Sequence, residues 1–205
     1  MGIGINGMGR IGRLSLRAAL GGLQRCAGDP RGNNRLNIVH VNEVKGGAAA
    51  TTHLLEFDSI HGRWHGSFGI EDDTAIVVNN NRMGFSGAAT PGDVAWGDLG
   101  CDIVLECTGK FLKPEQLEPY FDRGVRRVIV AAPVKDERAL NIVVGVNDRL
   151  YAPSRHRLLT AVDRAAKVFV GPGLGGLHQA QCVFGCEFVL KSGQAPAGPI
   201  VSVDI

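Results

Sequence analysis

Three glycines, Gly7, Gly9 and Gly12, stand in the stretch GINGMGRIG at residues 4–12, in the spacing G-x-G-x-x-G. The chemistry available to that spacing is anion cradling. Gly7 permits a tight turn out of a strand. Gly9, without a Cβ, lets the backbone approach a pyrophosphate. Gly12 lets the following helix pack close to the strand. The helix N-terminus then offers unpaired N–H groups and a positive dipole end to phosphates. The expected ligand is a dinucleotide. A chain with 29 glycines meets loose patterns by chance, so a purely structural Gly-rich turn is the alternative, and the elements around the motif decide between them.

A dinucleotide site also needs an acidic residue at the end of the next strand, to accept hydrogen bonds from a ribose diol. Glu43, in HVNEV, is placed for it. It lies further from Gly12 than the usual ~20 residues. The loop-like stretch 21–35, GGLQRCAGDPRGNNR, accounts for the excess as an insertion. A carboxylate there repels a 2′-phosphate, so NAD is favoured over NADP. The alternative for Glu43 is a solvated loop glutamate.

The other residues able to do chemistry are less organised. Cys26, Cys101, Cys107, Cys182 and Cys186 are odd in number and irregularly spaced, which points to a reducing cytosol. Cys182 and Cys186 are half of a metal site with no second ligand pair, so no metal is expected. His178 and Cys182, in HQAQC, read as ordinary tail residues, the alternative being a base and nucleophile that only spatial geometry could pair.

The elements that must position these residues alternate. Ile3–Asn6 reads as a buried strand, and RIGRLSLRAAL as a helix with Ile11, Leu14, Ala18 and Ala19 on one face and Arg10, Arg13 and Arg17 on another. Leu36–Val41 is a second strand. IVVN, NNR and MGFS form a hairpin with Asn-rich turn residues. Asp102–Leu105 is a strand, and KPEQLEPYFDRG a short helix with Pro114 in its first turn and Gly124 at its stop. VRRVIVAAP and NIVVGVN (141–147) are further strands. Apolar strands joined by helices imply a parallel sheet covered on both faces. The fold class is α/β, a Rossmann-type doubly wound, mostly parallel sheet with an antiparallel hairpin insertion. The glycine motif thus follows a strand and opens a helix, the context a dinucleotide site requires.

Composition excludes several functions. Twenty-two basic and 20 acidic residues give a net charge of +2, which predicts neither nucleic acid nor an anionic membrane surface as a partner. No apolar run approaches the ~20 residues of a membrane helix. The glycine loop begins within a few residues of Met1, leaving no room for a signal peptide, so a cytoplasmic location is expected.

GINGMGRIGRL, VNEV, FDSIHGRW, DIVLECTGKF, VIVAAP and GVND occur in this order. Together they resemble the NAD-binding domain of phosphorylating glyceraldehyde-3-phosphate dehydrogenase, over residues 1–160. Another Rossmann reductase, such as a semialdehyde dehydrogenase, would share the glycine loop but not FDSIHGRW or DIVLECTGKF. The wording VNEVKGGAAATTHLLEFDSIHGRW further resembles a bacterial branch associated with arsenate resistance, whose members form an arseno-phosphoglycerate for export. The resemblance implies that Arg10 and Ile11 present backbone amides to the pyrophosphate and that Glu43, where the family usually has aspartate, takes the ribose. Thr108 and Gly109 would line the cleft floor, and Phe111 would lie near the adenine. Ala131 stands where a serine or threonine usually contacts the nicotinamide half, and ATPGD lacks the family's arginine near the adenine. Both departures imply weaker NAD binding. The cofactor-binding set is Asn6, Gly7, Gly9, Arg10, Ile11, Gly12, Glu43, Thr108, Gly109, Phe111 and Ala131.

The resemblance stops after LLTA. The family continues with A-S-C-T-T-N, whose cysteine thiolate attacks the aldehyde with help from a histidine. Here VDRAAK follows, with Arg164 where the cysteine belongs. No catalytic residue is therefore assigned. Residues 1–160 form the expected NAD-binding domain, and 161–205 a Gly-rich tail in place of a catalytic domain, a pattern expected of a truncated or misassembled reading frame or of a decayed gene copy. The expected function is NAD binding without turnover. An active enzyme using Cys182 or a partner chain is one alternative, and a non-catalytic protein that binds full-length homologues is another. Family members form homo-tetramers, and for this chain a monomer or association with full-length subunits is expected.

Overall fold

The computed structural model describes residues 1–21, 36–143, 147–161, 180–181 and 187–188. Strand β1 (Gly2–Asn6) leads through the glycine loop into helix α1 (Arg10–Ala19), and β2 (Ile38–Asn42) into α2 (Gly47–Glu56). Two short strands, β3 (Phe57–Asp58) and β4 (Gly62–Arg63), pair with each other. Next come β5 (Phe68–Glu71), β6 (Ala75–Val78), β7 (Asn81–Ser86), β8 (Cys101–Glu106), α3 (Pro114–Asp122), β9 (Arg127–Val130), β10 (Ala139–Ile142) and β11 (Leu158–Ala161). Among the described residues nine strands form one sheet in the order β10-β11-β9-β8-β1-β2-β7-β6-β5. Only β6 opposes the common direction, because it pairs antiparallel with both β5 and β7.

Local chemistry explains the ends of the elements. Helix α1 stops at Gly21, which has φ +80° and donates its N–H to the Ala18 carbonyl, a left-handed C-terminal stop. Helix α3 starts at Pro114 and is capped by Gln116, whose Oε1 accepts from the Lys113 and Leu112 amides at 3.2 Å. Gly124, at φ +86°, ends it. The β6–β7 turn is Asn79–Asn80, both at positive φ, the two-residue hairpin geometry asparagine tolerates.

Two apolar layers flank the sheet. On one face Leu16, Ala19 and Leu20 of the α1 segment and Ala48 and Leu55 of α2 pack on Ile3, Ile5, Val41, Ile76 and Met83. On the other, Leu117 and Tyr120 of α3 and Trp96 pack on Val104, Val128 and Leu158. The expected doubly wound Rossmann sheet is the fold observed.

Several local readings change. Helix α2 and strand β5 do not stand out in GGAAATTHLLE and FGIE, and LLTA forms β11, inserted between β9 and β10. Strand β10 occupies Ala139–Ile142 rather than starting at 141. The asparagine turn falls one residue earlier than NNR. Arg17 does not share a polar face with Arg10 and Arg13: it is 2% exposed. Its Nε donates to the Leu55 carbonyl and an Nη to that of Glu56, both at 2.9 Å, with further bonds to the Gly62 carbonyl at 3.2 Å. The end of α2 and the β3–β4 turn cover that side of α1, and their carbonyls satisfy the guanidinium. The loop after Gly21, the Cys182–Cys186 half-site, His178 and Arg164 lie outside the described residues. In the Gly-rich tail, Ala180–Gln181 and Glu187–Phe188 pair antiparallel.

Candidate functional site

The chain leaves β1 toward α1 and β2 on one side, while β8 feeds α3 and β9 on the other. The carboxyl ends of β1 and β8 therefore diverge at a topological switch point, where open α/β sheets bind ligands. A cavity of about 200 Å³ opens there, lined by Asn6, Gly7, Gly9, Asn42, Glu43, Val44, Lys45, Cys107, Thr108 and Lys110.

The three glycines do the separate jobs their spacing requires. Gly7 has φ +91°, and a Cβ on it would lie 2.7 Å from the Thr108 nitrogen. A Cβ on Gly12 would come within 2.0 Å of the Gly7 carbonyl oxygen, so the helix can approach the loop only as glycine. At Gly9 a Cβ would meet nothing within 4 Å. That position is bare because it borders the cavity. Gly9 is the N-cap of α1 and supplies no side-chain cap, and the first intrahelical bond comes from Arg13. The amides of the first turn are thus left for an outside acceptor. This shape and polarity fit a dinucleotide pyrophosphate.

Glu43 is not a free loop residue. Its Oε2 accepts from the Met8 amide at 2.7 Å and its Oε1 from the Lys45 amide at 3.0 Å. The carboxylate bridges the end of β2 to the middle of the glycine loop. Of the expected residues, Asn6, Gly7, Gly9, Glu43 and Thr108 line the cavity. Arg10, Ile11, Gly12, Gly109, Phe111 and Ala131 do not. Ile11 and Ala131 pack against the core layer that carries α1, and Phe111 against the other.

Beneath the cavity runs a polar row that motif reading misses. Ser86, Asn42, Asn6 and Glu106 occupy one register across β7, β2, β1 and β8. Asn42, Asn6 and Glu106 are at most 3% exposed. The hydrogen bonds have one polarity. The Ala88 amide and the Ser86 hydroxyl both donate to Asn42 Oδ1, at 2.8 and 2.7 Å. The Asn42 amide nitrogen therefore faces Asn6 Oδ1, at 2.8 Å. Asn6 Nδ2 in turn donates to Glu106 Oε2 at 2.9 Å. His40 Nε2 bonds the same Ser86 hydroxyl at 2.8 Å, and with that hydroxyl donating onward the imidazole must be the donor. The row ends on Glu106, which also accepts from the Tyr120 hydroxyl, the Thr108 hydroxyl and, at 2.7 Å, the Thr108 amide. The signal available for these residues was positional: GIGIN, IVHVN and CDIVLE are apolar strands that each end on a polar residue.

Burial dominates the electrostatics. It pushes the Glu106 carboxyl up, against the four donors that favour its ionised form. It holds His40 neutral, with its pKa down at about 4. The Cys107 thiol is pushed up by burial and by Glu106, and Cys101 up to about 12 by burial. Neither thiol supplies a thiolate nucleophile near neutral pH. Among the described residues no group of three or more His, Cys, Asp or Glu side chains could hold a metal, and no helix is long and apolar enough to cross a membrane.

Comparison with known proteins agrees with this geometry. Residues 1–114 match the family of the glyceraldehyde 3-phosphate dehydrogenase NAD-binding domain. Glyceraldehyde-3-phosphate dehydrogenase 3 of Nostoc sp. is 53% identical over 161 residues, covering 78% of this chain and 44% of that protein. Glyceraldehyde-3-phosphate dehydrogenase of Geobacillus stearothermophilus is 37% identical over 158 residues, covering 77% of this chain and 43% of its own length. The plasmid-encoded enzyme of Cupriavidus necator is 37% identical over 161 residues, covering 78% and 43%. The chain spans less than half the length of these relatives. With a glycine-loop cleft at the switch point of a Rossmann sheet and more than half its residues matched, the chain belongs to the glyceraldehyde 3-phosphate dehydrogenase family through its NAD-binding domain.

Proposed function

We propose that this chain holds NAD in the switch-point cleft and does not by itself oxidise glyceraldehyde 3-phosphate. The observation that carries the binding half is the bare wall at Gly9 opposite Glu43, in one cavity beside the uncapped start of α1. In this reading the amides of Arg10 and Ile11 face the pyrophosphate, since Glu43 already occupies the Met8 amide. Glu43 keeps carboxylate lone pairs for a ribose diol. Asn6, Gly7 and Thr108 form the floor, and Gly109 follows Thr108 outside the cavity lining. Phe111 borders the adenine and Ala131 the nicotinamide half, each from just outside the cavity. NAD supplies a hydride acceptor when bound.

The catalytic half of the reading rests on the residues after β11. VDRAAK stands where a nucleophilic cysteine would follow, and Arg164 takes its place. Residues 1–160 act as the NAD-binding unit and 161–205 as a separate tail. The setting proposed is cytoplasmic. Family membership supports oxidative phosphorylation or arsenylation of glyceraldehyde 3-phosphate as the reaction of full-length relatives.

Calorimetry tests the first half: saturable binding is expected, and no detectable heat at millimolar NAD would sink it. An assay of NADH formation from glyceraldehyde 3-phosphate with phosphate or arsenate tests the second. Turnover that disappears in Cys182→Ser would instead make Cys182 the nucleophile. Light scattering with a full-length homologue distinguishes a monomer from an associating subunit.

A further inference from the structure

We infer that Glu106 is a positioning residue for the cofactor cleft, holding the Thr108 turn and the Asn6 amide in place from below. The inference rests on the NAD-binding reading of that cleft. Glu106 does not itself line the cavity, yet its two oxygens hold two residues that do.

The donors it meets are not interchangeable. Oε1 receives the Thr108 backbone amide, which can only donate. Oε2 receives Asn6 Nδ2, whose orientation is dictated by the Ala88 amide at the far end of the row. Hydroxyls such as those of Thr108 and Tyr120 can turn to accept instead. The amide on each oxygen cannot. A glutamine in this position must therefore set its own NH2 group against one N–H or the other. Only a group with acceptors on both sides satisfies the floor of the cleft, and a buried donor left facing a donor is displaced.

The consequence falls on the turn rather than the core. Asn6 is held in β1 and again by Asn42, whereas the Thr108 side chain and amide share Glu106 Oε1 as a common anchor. Thr108 hydroxyl in turn accepts from the Lys110 amide at 3.1 Å, so the anchor extends through the turn to another cavity-lining residue. Gly7 packs against this same turn, where a Cβ would reach the Thr108 nitrogen at 2.7 Å. Releasing Thr108 thus disturbs both walls of the cleft.

The test compares E106Q, T108A and Y120F with the parent chain by NAD calorimetry, thermal unfolding and amide hydrogen exchange. E106Q is expected to raise the NAD Kd about ten-fold, as follows if the competent floor is populated roughly a tenth of the time. Exchange at the Thr108 amide should accelerate with it. T108A should also weaken binding, and the double variant should be no weaker than the poorer single, because both break one anchor. Y120F removes a donor to Glu106 and one acceptor of the Asn6 amide, which Asn42 and Glu106 still hold, and no partner of the Thr108 turn. It should lower Tm but leave Kd within about two-fold and Thr108 exchange unchanged. E106Q that binds NAD like the parent overturns the inference, as does Y120F that weakens binding as much as T108A. Where E106Q does not fold, T108A with parental affinity overturns it equally. A parent chain that binds no NAD sinks the reading of the cleft, and Thr108 exchange in E106Q then still decides whether Glu106 holds the turn.

Discussion

The Glu43 carboxylate accepts a hydrogen bond from the Met8 amide at 2.7 Å, 35 residues away in sequence. The end of β2 and the glycine loop are joined by one charged acceptor. Glu43→Ala removes this bridge and, with it, the carboxylate proposed to face the ribose. NAD affinity should fall by at least about ten-fold, since a charge-assisted bond is worth roughly 1.5–3 kcal/mol. NADP should lose less, because the repulsion of a 2′-phosphate goes with the carboxylate. Calorimetry with both nucleotides measures the ratio. A ratio unmoved by the substitution would show that Glu43 serves the loop alone.

Gly9 and Gly12 should respond in opposite ways to one methyl group. Gly12→Ala drives a Cβ to 2.0 Å from the Gly7 carbonyl oxygen, and the overpacking should cost about 2–3 kcal/mol or more. Gly9→Ala meets no protein atom, so stability should stay within about 1 kcal/mol. Its cost should appear as weaker NAD binding. Urea unfolding and calorimetry on the two variants separate the effects. Equal destabilisation of both would contradict the geometry.

Arg17 ties α1 to the end of α2 and the β3–β4 turn through backbone carbonyls alone. Arg17→Met keeps the apolar stem and strands those carbonyls. A loss of about 2–4 kcal/mol is expected, the size of a broken buried network. The urea midpoint should fall with m unchanged. NAD affinity should hold, since Arg17 lies away from the cleft.

His40 predicts a dependence of stability on acid. Burial keeps its folded pKa at about 4, against 6.5 unfolded. Between those values the unfolded chain binds the extra proton, so stability falls as pH drops through that window. The slope is at most about 1.4 kcal/mol per pH unit, and above 6.5 the effect vanishes. Glu106, whose carboxyl burial pushes up, acts in the opposite sense, losing stability as pH rises. The comparison is therefore with His40→Gln, which should flatten the acid-side loss. Parallel curves for the two proteins between pH 6.5 and 4 would assign the loss elsewhere.

Motif and strand reading go far because the glycine spacing and the apolar strands are local facts. G-x-G-x-x-G after a strand constrains its own backbone, and runs such as DIVL and RVIV state burial on both faces. Helix α2 is not marked by periodicity because GGAAATTHLLE has weak amphipathic contrast. Strand β5 is a four-residue edge strand with little apolar alternation, and LLTA is short with pairing partners remote in sequence. Periodicity groups Arg17 with Arg10 and Arg13 because its acceptors, the carbonyls of Leu55, Glu56 and Gly62, carry no side-chain signature.

Cavity lining divides the candidate site in the same manner. Gly7, Gly9 and Glu43 were legible because each residue type answers a requirement of the ligand. Glu106 and Asn42 were not, because a polar residue at a strand end becomes a network only when parallel register puts Ser86, Asn42, Asn6 and Glu106 side by side. By itself, the sequence determined the fold class, the loop and its carboxylate, since local conformation and hydrophobic pattern suffice for them. Tertiary structure alone decided which buried acceptor anchors the floor of the cleft, because that depends on strands whose alignment is set by the packing of the whole sheet.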